Sequence, residues 1–149
     1  ESGTGEPLTL SQPDLDGLVR SKAAMYTILT TIANTVNIPL NEIKRFFIAG
    51  TFGSYINPES AITIGMIPDL PLDVYLPLGN TSLQGACMAL LKMEARDEIH
   101  RIRDRITYLE LNVNQEFMNL FSAAKFIPHT DRSLFPSVRR WADEKKLTL

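Results

Sequence analysis

The sequence predicts an α/β domain built on a small, mostly parallel sheet flanked by helices, and three observations carry that prediction. Phe46-Phe47-Ile48-Ala49 is apolar without alternation, as in a strand covered by helices on both faces. That run breaks directly into Gly50-Thr51-Phe52-Gly53, two glycines three apart, which let the backbone approach another group closely. Apolar residues also recur at three- and four-residue steps from Leu15 to Val36, the period of a helix with one inward face. With 149 residues, 44% of them hydrophobic, the chain is long enough for one well-filled core.

The first helix opens at Ser11-Gln12-Pro13-Asp14, where a hydroxyl stands three residues before a carboxylate and proline lies early in the turn. Its stripe is Leu15, Leu18, Val19, Lys22, Met25, Tyr26, Leu29, Ile32, Ala33 and Val36, with Arg20, Thr27 and Asn34 expected to face outward. Asn37 and Pro39 end it. After the strand at 46–49 and its glycine loop, Asn57-Pro58-Glu59-Ser60 reads as a cap with proline at the first helical position of a short helix reaching about Gly65. Pro68 and Pro71 close that unit. Asp73 to Leu78 is the second strand, with Pro77 suiting an edge.

Gly79-Asn80-Thr81 turns into a helix from Ser82 through Leu91, where small Gly85 and Ala86 should allow close packing on the sheet, and the helix continues into the charged stretch Glu94 to Asp104. Ile106 to Asn112 alternates and predicts an added third strand. Phe117, Leu120, Phe121 and Ala124 mark a last helix. From Ile127 onward the chain lacks periodicity and reads as an irregular, surface-wrapping tail.

Composition narrows the function. Fifteen basic residues against seventeen acidic give a net charge of -2, which points to neither a nucleic acid nor an anionic membrane as partner. The single cysteine, Cys87, leaves no internal disulfide and no cysteine-rich metal or iron–sulfur ligand set within this chain, which fits a reducing, cytoplasmic setting. No apolar run approaches the ~20 residues of a membrane-spanning helix. The opening Glu1-Ser2-Gly3-Thr4-Gly5-Glu6 has no initiating methionine and reads as the middle of a longer protein.

The glycine loop fails three familiar mechanisms. A dinucleotide fingerprint requires glycines where Phe52 and Tyr55 stand. A Walker loop requires Gly-Lys-Ser/Thr where the chain has Tyr55-Ile56-Asn57, so no lysine reaches a β- or γ-phosphate. A nucleic-acid-clamping GXXG loop is disfavoured by Thr51-Phe52, which offers no cation, and by an acidic chain. On these residues alone, a tight strand–helix turn is the commoner role for Gly50 and Gly53.

The order strand, glycine loop, helix, strand, Gly-Asn turn, helix carries a resemblance. Phe47 to Tyr55, then Asn57-Pro58-Glu59-Ser60-Ala61 and Leu78-Gly79-Asn80-Thr81-Ser82-Leu83-Gln84-Gly85-Ala86, resemble the C-terminal part of the reductive activators of corrinoid proteins. The likeness runs from about Leu10 to His129 and includes Arg20 to Ala24, Tyr108-Leu109-Glu110-Leu111 and Lys125-Phe126-Ile127-Pro128-His129. That family belongs to the acetate kinase, sugar kinase, Hsp70 and actin superfamily of ATPases. The resemblance implies an RNase H-like lobe over 11–129, preceded by a linker at 1–10 and followed by a C-terminal extension at 130–149.

It also implies an activity: coupling ATP hydrolysis to return of an inactive Co(II) corrinoid to Co(I) on the corrinoid protein of a methyltransferase or O-demethylase system. In such proteins an N-terminal [2Fe–2S] domain carries the electron, and ATP with Mg²⁺ lies between two lobes. The phosphate-binding turns, the Mg²⁺-positioning carboxylate and the cluster cysteines are expected upstream, so no catalytic or metal-binding residue is assigned here. Carried over by position, Gly50, Thr51, Phe52, Gly53 and Ser54 match the superfamily's adenosine motif, with Thr51 in place of the commoner second glycine. Asn80 lies in the other matching segment, either touching nucleotide or capping the helix that follows.

The remaining candidates have plainer readings. Cys87 is expected to be a small core residue, His100 to lie on a solvated face among Arg96, Arg101, Arg103 and Arg105, and His129 to be no metal ligand. Trp141 is expected to fold back onto its own domain. Two alternatives stay open: an interaction or dimerisation module whose glycine loop is architectural, and the lobe of another superfamily ATPase, such as an acyl-CoA dehydratase activator or a sugar kinase.

Overall fold

The computed structural model describes residues 9–111 and 115–144. Helix α1 spans Gln12–Thr35 and starts as its sequence signature dictates: the Asp14 carboxylate accepts the Ser11 backbone N–H at 2.9 Å and the Ser11 hydroxyl at 2.6 Å. Strand β1, Phe46–Ala49, pairs in parallel with β2, Tyr75–Gly79. Phe46 stands opposite Tyr75 and Ile48 opposite Pro77, and a bulge between Ile48 and Ala49 brings Ala49 opposite Gly79. Pro77 is tolerated because β2 pairs on one side only. Between the strands lies α2, Pro58–Thr63, whose cap residue Asn57 accepts the Ser60 N–H at 2.9 Å.

The core forms where α1, α2, β2 and the C-terminal region meet. Ala23 and Tyr26 of α1, Ala61 and Ile62 of α2, and Tyr75 of β2 are buried together with Phe135 and Val138. Tyr75 also donates its hydroxyl to the Pro68 carbonyl. Helix α5, Gln115–Ala124, packs along α1, and the Asn34 amide donates to Glu116 at 2.7 Å across that seam.

Four sequence expectations give way here. The tail is not irregular: it carries α6, Pro136–Glu144, and packs Phe135, 1% exposed, against both Tyr26 and His129. Burying a phenylalanine contributes about 2–3 kcal/mol, enough to hold the segment down. Asp69 secures the start of α6, accepting the Ser137 N–H at 2.7 Å and its hydroxyl at 2.8 Å.

The second departure concerns α1. Thr27, expected outside, is fully buried with Thr31, whereas Leu15, Leu18, Met25, Ile32 and Val36 remain 42–54% exposed. The inward face runs through Lys22, Ala23, Tyr26, Thr27, Thr31 and Ala33, so it keeps Lys22, Tyr26 and Ala33 of the apolar stripe but is turned toward the threonines. Third, Ile106 to Leu111 form no strand, because no neighbouring strand is placed to pair with them; Asn112 lies outside the described residues.

Fourth, the helix after β2 is two helices, α3, Thr81–Leu91, and α4, Met93–Arg103, separated by an extended Lys92 at φ -134° and ψ 123°. Neither has a buried residue. The small Gly85 therefore packs against nothing, with open space where a Cβ would stand, and Cys87 is exposed instead of buried in a core. No helix among the described residues is long and apolar enough to cross a membrane.

Candidate functional site

The two parallel strands end side by side in glycines. Gly50 follows β1 with φ 95°, and Gly79 closes β2 with φ 68°, both in the left-handed region that glycine adopts without strain. The Gly50 N–H donates to the Gly79 carbonyl at 2.7 Å, which ties the two turns together. A Cβ on either would meet nothing within 4 Å. The carboxyl ends of parallel strands are where open α/β sheets receive ligands, and here two glycines without side chains stand at those ends.

The loop between β1 and α2 is a 3-10 turn over Phe52–Tyr55, entered through Thr51 in helical conformation. The five loop positions expected at a nucleotide, Gly50 to Ser54, are therefore brought together, but they play different parts. Gly53 is buried, and a Cβ there would lie 2.7 Å from the Ile48 Cγ2, so its missing side chain serves packing of the turn onto β1. Phe52 is 79% exposed and Tyr55 83%. The Ser54 hydroxyl reaches back toward the Gly50 carbonyl at 3.5 Å. Asn80 directly follows Gly79 and caps α3, its Oδ1 accepting the Leu83 N–H at 3.0 Å.

Sequence reasoning missed a second polar cluster. Lys22 is fully buried and donates its Nζ to the carbonyls of Phe126 and, at 2.7 Å, Pro128. Desolvation lowers its pKa to about 8. His129 is buried beside it, its ring 5.4 Å from that of Tyr26, and its Nδ1 accepts the Asp131 N–H at 2.9 Å. Burial is the main cause that pulls the imidazole pKa down, and the nearby Lys22 charge acts in the same direction. The Lys22 position in an otherwise apolar heptad was the available signal. Its partners are main-chain oxygens, which no side-chain motif marks.

Among the described residues, no group of three or more histidine, cysteine, aspartate or glutamate side chains is placed to hold a metal. His100 is exposed on α4. Trp141 folds back onto the body of the protein, where with Glu59, Leu72 and Arg140 it lines a concavity of about 410 Å³ to which none of Gly50 to Ser54 contributes.

The fold is that of an α/β piece of the ASKHA class. A profile of the C-terminal domain of RACo, the ASKHA domain, matches residues 1–139, and the chain belongs to that family. It is 27% identical over 121 residues to the corrinoid activation enzyme RamQ of Eubacterium limosum, an alignment covering 81% of this chain and 20% of that protein. It also superposes on a solved structure, a reductive activator for corrinoid, iron-sulfur protein, with a TM-score of 0.85 and 44% identity, covering 92% of this chain and 22% of that one. The chain thus spans about one fifth of the length of these relatives.

Proposed function

We propose that this chain supplies the adenosine-facing wall of the nucleotide cleft in an activator that couples ATP hydrolysis to reduction of a Co(II) corrinoid to Co(I). The corrinoid is carried by a partner protein of a methyltransferase system, in the cytoplasm. The observation behind this reading is the pair of open glycines, Gly50 and Gly79, joined across the ends of β1 and β2. The names of the two relatives support the corrinoid part of it.

On this reading residues 11–129 act as the lobe and 130–149 as an extension fastened to it. The chain's own task is binding and orientation. Gly50 and Gly79 leave main chain uncovered for the ribose and base, Thr51 and Phe52 border that surface, and Gly53 seats the turn on Ile48. Asn80 holds α3 in place by its cap. ATP with Mg²⁺, when bound, supplies the free energy that makes the electron transfer favourable. The residues here do not fit a [2Fe–2S] cluster, since one exposed cysteine is the whole thiol complement, so the electron carrier belongs to another part of the parent protein.

Titrating ATP into the chain while following backbone amide shifts tests the reading: the Gly50 and Gly79 signals should move together, at millimolar nucleotide. Movement elsewhere with both glycines still would overturn it. Gly53→Val is a poor probe, because it disturbs Ile48 before it touches a ligand.

A second reading, that the piece is an interaction or dimerisation module, is favoured by one observation. Leu15, Leu18, Met25, Ile32 and Val36 of α1 are partly exposed, and α3 has no buried residue. Light scattering that finds a defined dimer without nucleotide, lost on Met25→Glu, would support it.

A further inference from the structure

Phe52 and Tyr55 are three residues apart in a 3-10 turn, and in that geometry side chains at i and i+3 eclipse. Both rings therefore rise from one side of the turn, at 79% and 83% exposure, while Gly53 between them packs down on Ile48. The turn begins two residues after Gly50, whose main chain faces open space beside Gly79. Bare peptide and two aromatic faces thus share one edge of the sheet.

Apart from Asn80, the polar side chains on that edge are the hydroxyls of Thr51, Ser54, Tyr55, Thr81 and Ser82, which both donate and accept and so fit either purine edge. Residues 50–55 and 79–83 contain no acidic or basic side chain. The Asn80 Oδ1 is engaged by Leu83, and the Ser54 hydroxyl is turned toward the Gly50 carbonyl. Every nucleobase has a π-face, so aromatic stacking binds bases with little regard to their hydrogen-bonding pattern.

We infer that Phe52 and Tyr55 hold the heterocyclic base of the nucleotide by stacking, so that the site recognises a planar base without discriminating adenine from guanine. The inference rests on the nucleotide reading above and adds to it the means of base recognition, including Tyr55. The rings provide affinity; the two glycines provide room.

The test uses the 149-residue chain with ATP, GTP and inorganic tripolyphosphate, each titrated while the Gly50 and Gly79 amides are followed. ATP and GTP should bind within about threefold of each other, and tripolyphosphate should leave both glycines unmoved. Phe52→Ala and Tyr55→Ala should each weaken both nucleotides by roughly five- to fiftyfold, the range expected for loss of one stacking partner. Tyr55→Phe should bind as the parent sequence does, and Phe52→Leu should behave like Phe52→Ala, which separates stacking from general apolar contact. Both rings are exposed, so these changes should leave the rest of the amide spectrum in place.

ATP that moves Gly50 and Gly79 equally well in the alanine variants would overturn the stacking while leaving the nucleotide reading intact. So would a preference for ATP over GTP greater than about tenfold. Glycine amides unmoved by ATP in the unaltered chain would overturn both. Self-association abolished by the alanine changes, with nucleotide affinity unaltered, would assign the rings to a protein contact and overturn the inference.

Discussion

Raising the pH from about 7 to about 9.5 should stabilise this protein by about 2 kcal/mol through Lys22 alone. The unfolded lysine titrates at 10.5 and the folded one at about 8, because its ammonium is desolvated among main-chain carbonyls with no carboxylate beside it. Each pH unit of separation is worth about 1.4 kcal/mol. Near pH 7 both states hold the proton, and the whole penalty, about 3 kcal/mol, is present. Near pH 9.5 the folded lysine has released its proton and only about one unit of separation remains, a penalty of about 1.4 kcal/mol.

The sign follows from proton counts. Between the two pKa values the unfolded chain binds more protons, so stability rises with pH. The window must close below about pH 10, the range in which unfolded tyrosines ionise. Burial raises the pKa of Tyr26 and Tyr75, so they keep their protons in the folded state and reverse the trend there. Urea unfolding at both pH values, comparing the parent chain with Lys22→Met, isolates the effect, since every other titrating group is common to the two. The methionine variant should lose the gain. An equal gain in both chains would refute the assignment of a desolvated, titrating ammonium at this position.

Two further outcomes concern packing. Gly65 has φ 74° and lies against the Pro128 main chain, where a Cβ would overlap the carbonyl; Gly65→Ala should cost more than about 3 kcal/mol or prevent folding. Gly85→Ala, in the open interior of α3, should instead stabilise by about 0.5–1 kcal/mol, and circular dichroism melts of the pair test both. The hydroxyls of Thr27 and Thr31 are buried without a hydrogen-bond partner. Thr27→Val and Thr31→Val should therefore each leave the urea midpoint unchanged or raise it, by up to about 1 kcal/mol; a loss greater than that would mean a bound water serves the hydroxyl.

The parts of the fold written in local signals were legible in the sequence. Phe46 to Ala49 had to be a strand by its unbroken apolarity, although the cover expected on both faces is absent and Phe47 and Ala49 lie exposed; Asn57-Pro58 had to open a helix, and Ser11 with Asp14 had to start α1. The glycine turn after β1 was legible for the same reason, since Gly50 lies at a strand end. Legibility failed where a residue's partner is distant or where two answers share one pattern. A helix with apolar residues around more than half its circumference does not say which side is inward, and α1 buries the side holding Thr27 and Thr31. The break at Lys92 has no glycine or proline to announce it. In α6, Arg139, Arg140 and Trp141 obscure the pair Val138 and Ala142 that anchors it. Alternation over 106–111 describes a strand only if another strand is available to it.

Lys22 occupies one step of a run, Leu15, Leu18, Lys22, Met25, Leu29, Ile32, Val36, whose alternating intervals of three and four are those of a coiled-coil seam. Its cation is turned into the body of the protein, which strips the seam of the one charge that would have kept it wet. Helix α1 consequently leans its threonine side on the body of the protein and leaves Leu15, Leu18, Met25, Ile32 and Val36 of the seam about half exposed. Any treatment of this chain in solution has to reckon with a ridge three heptads long that water wets poorly and a neighbouring molecule can grip.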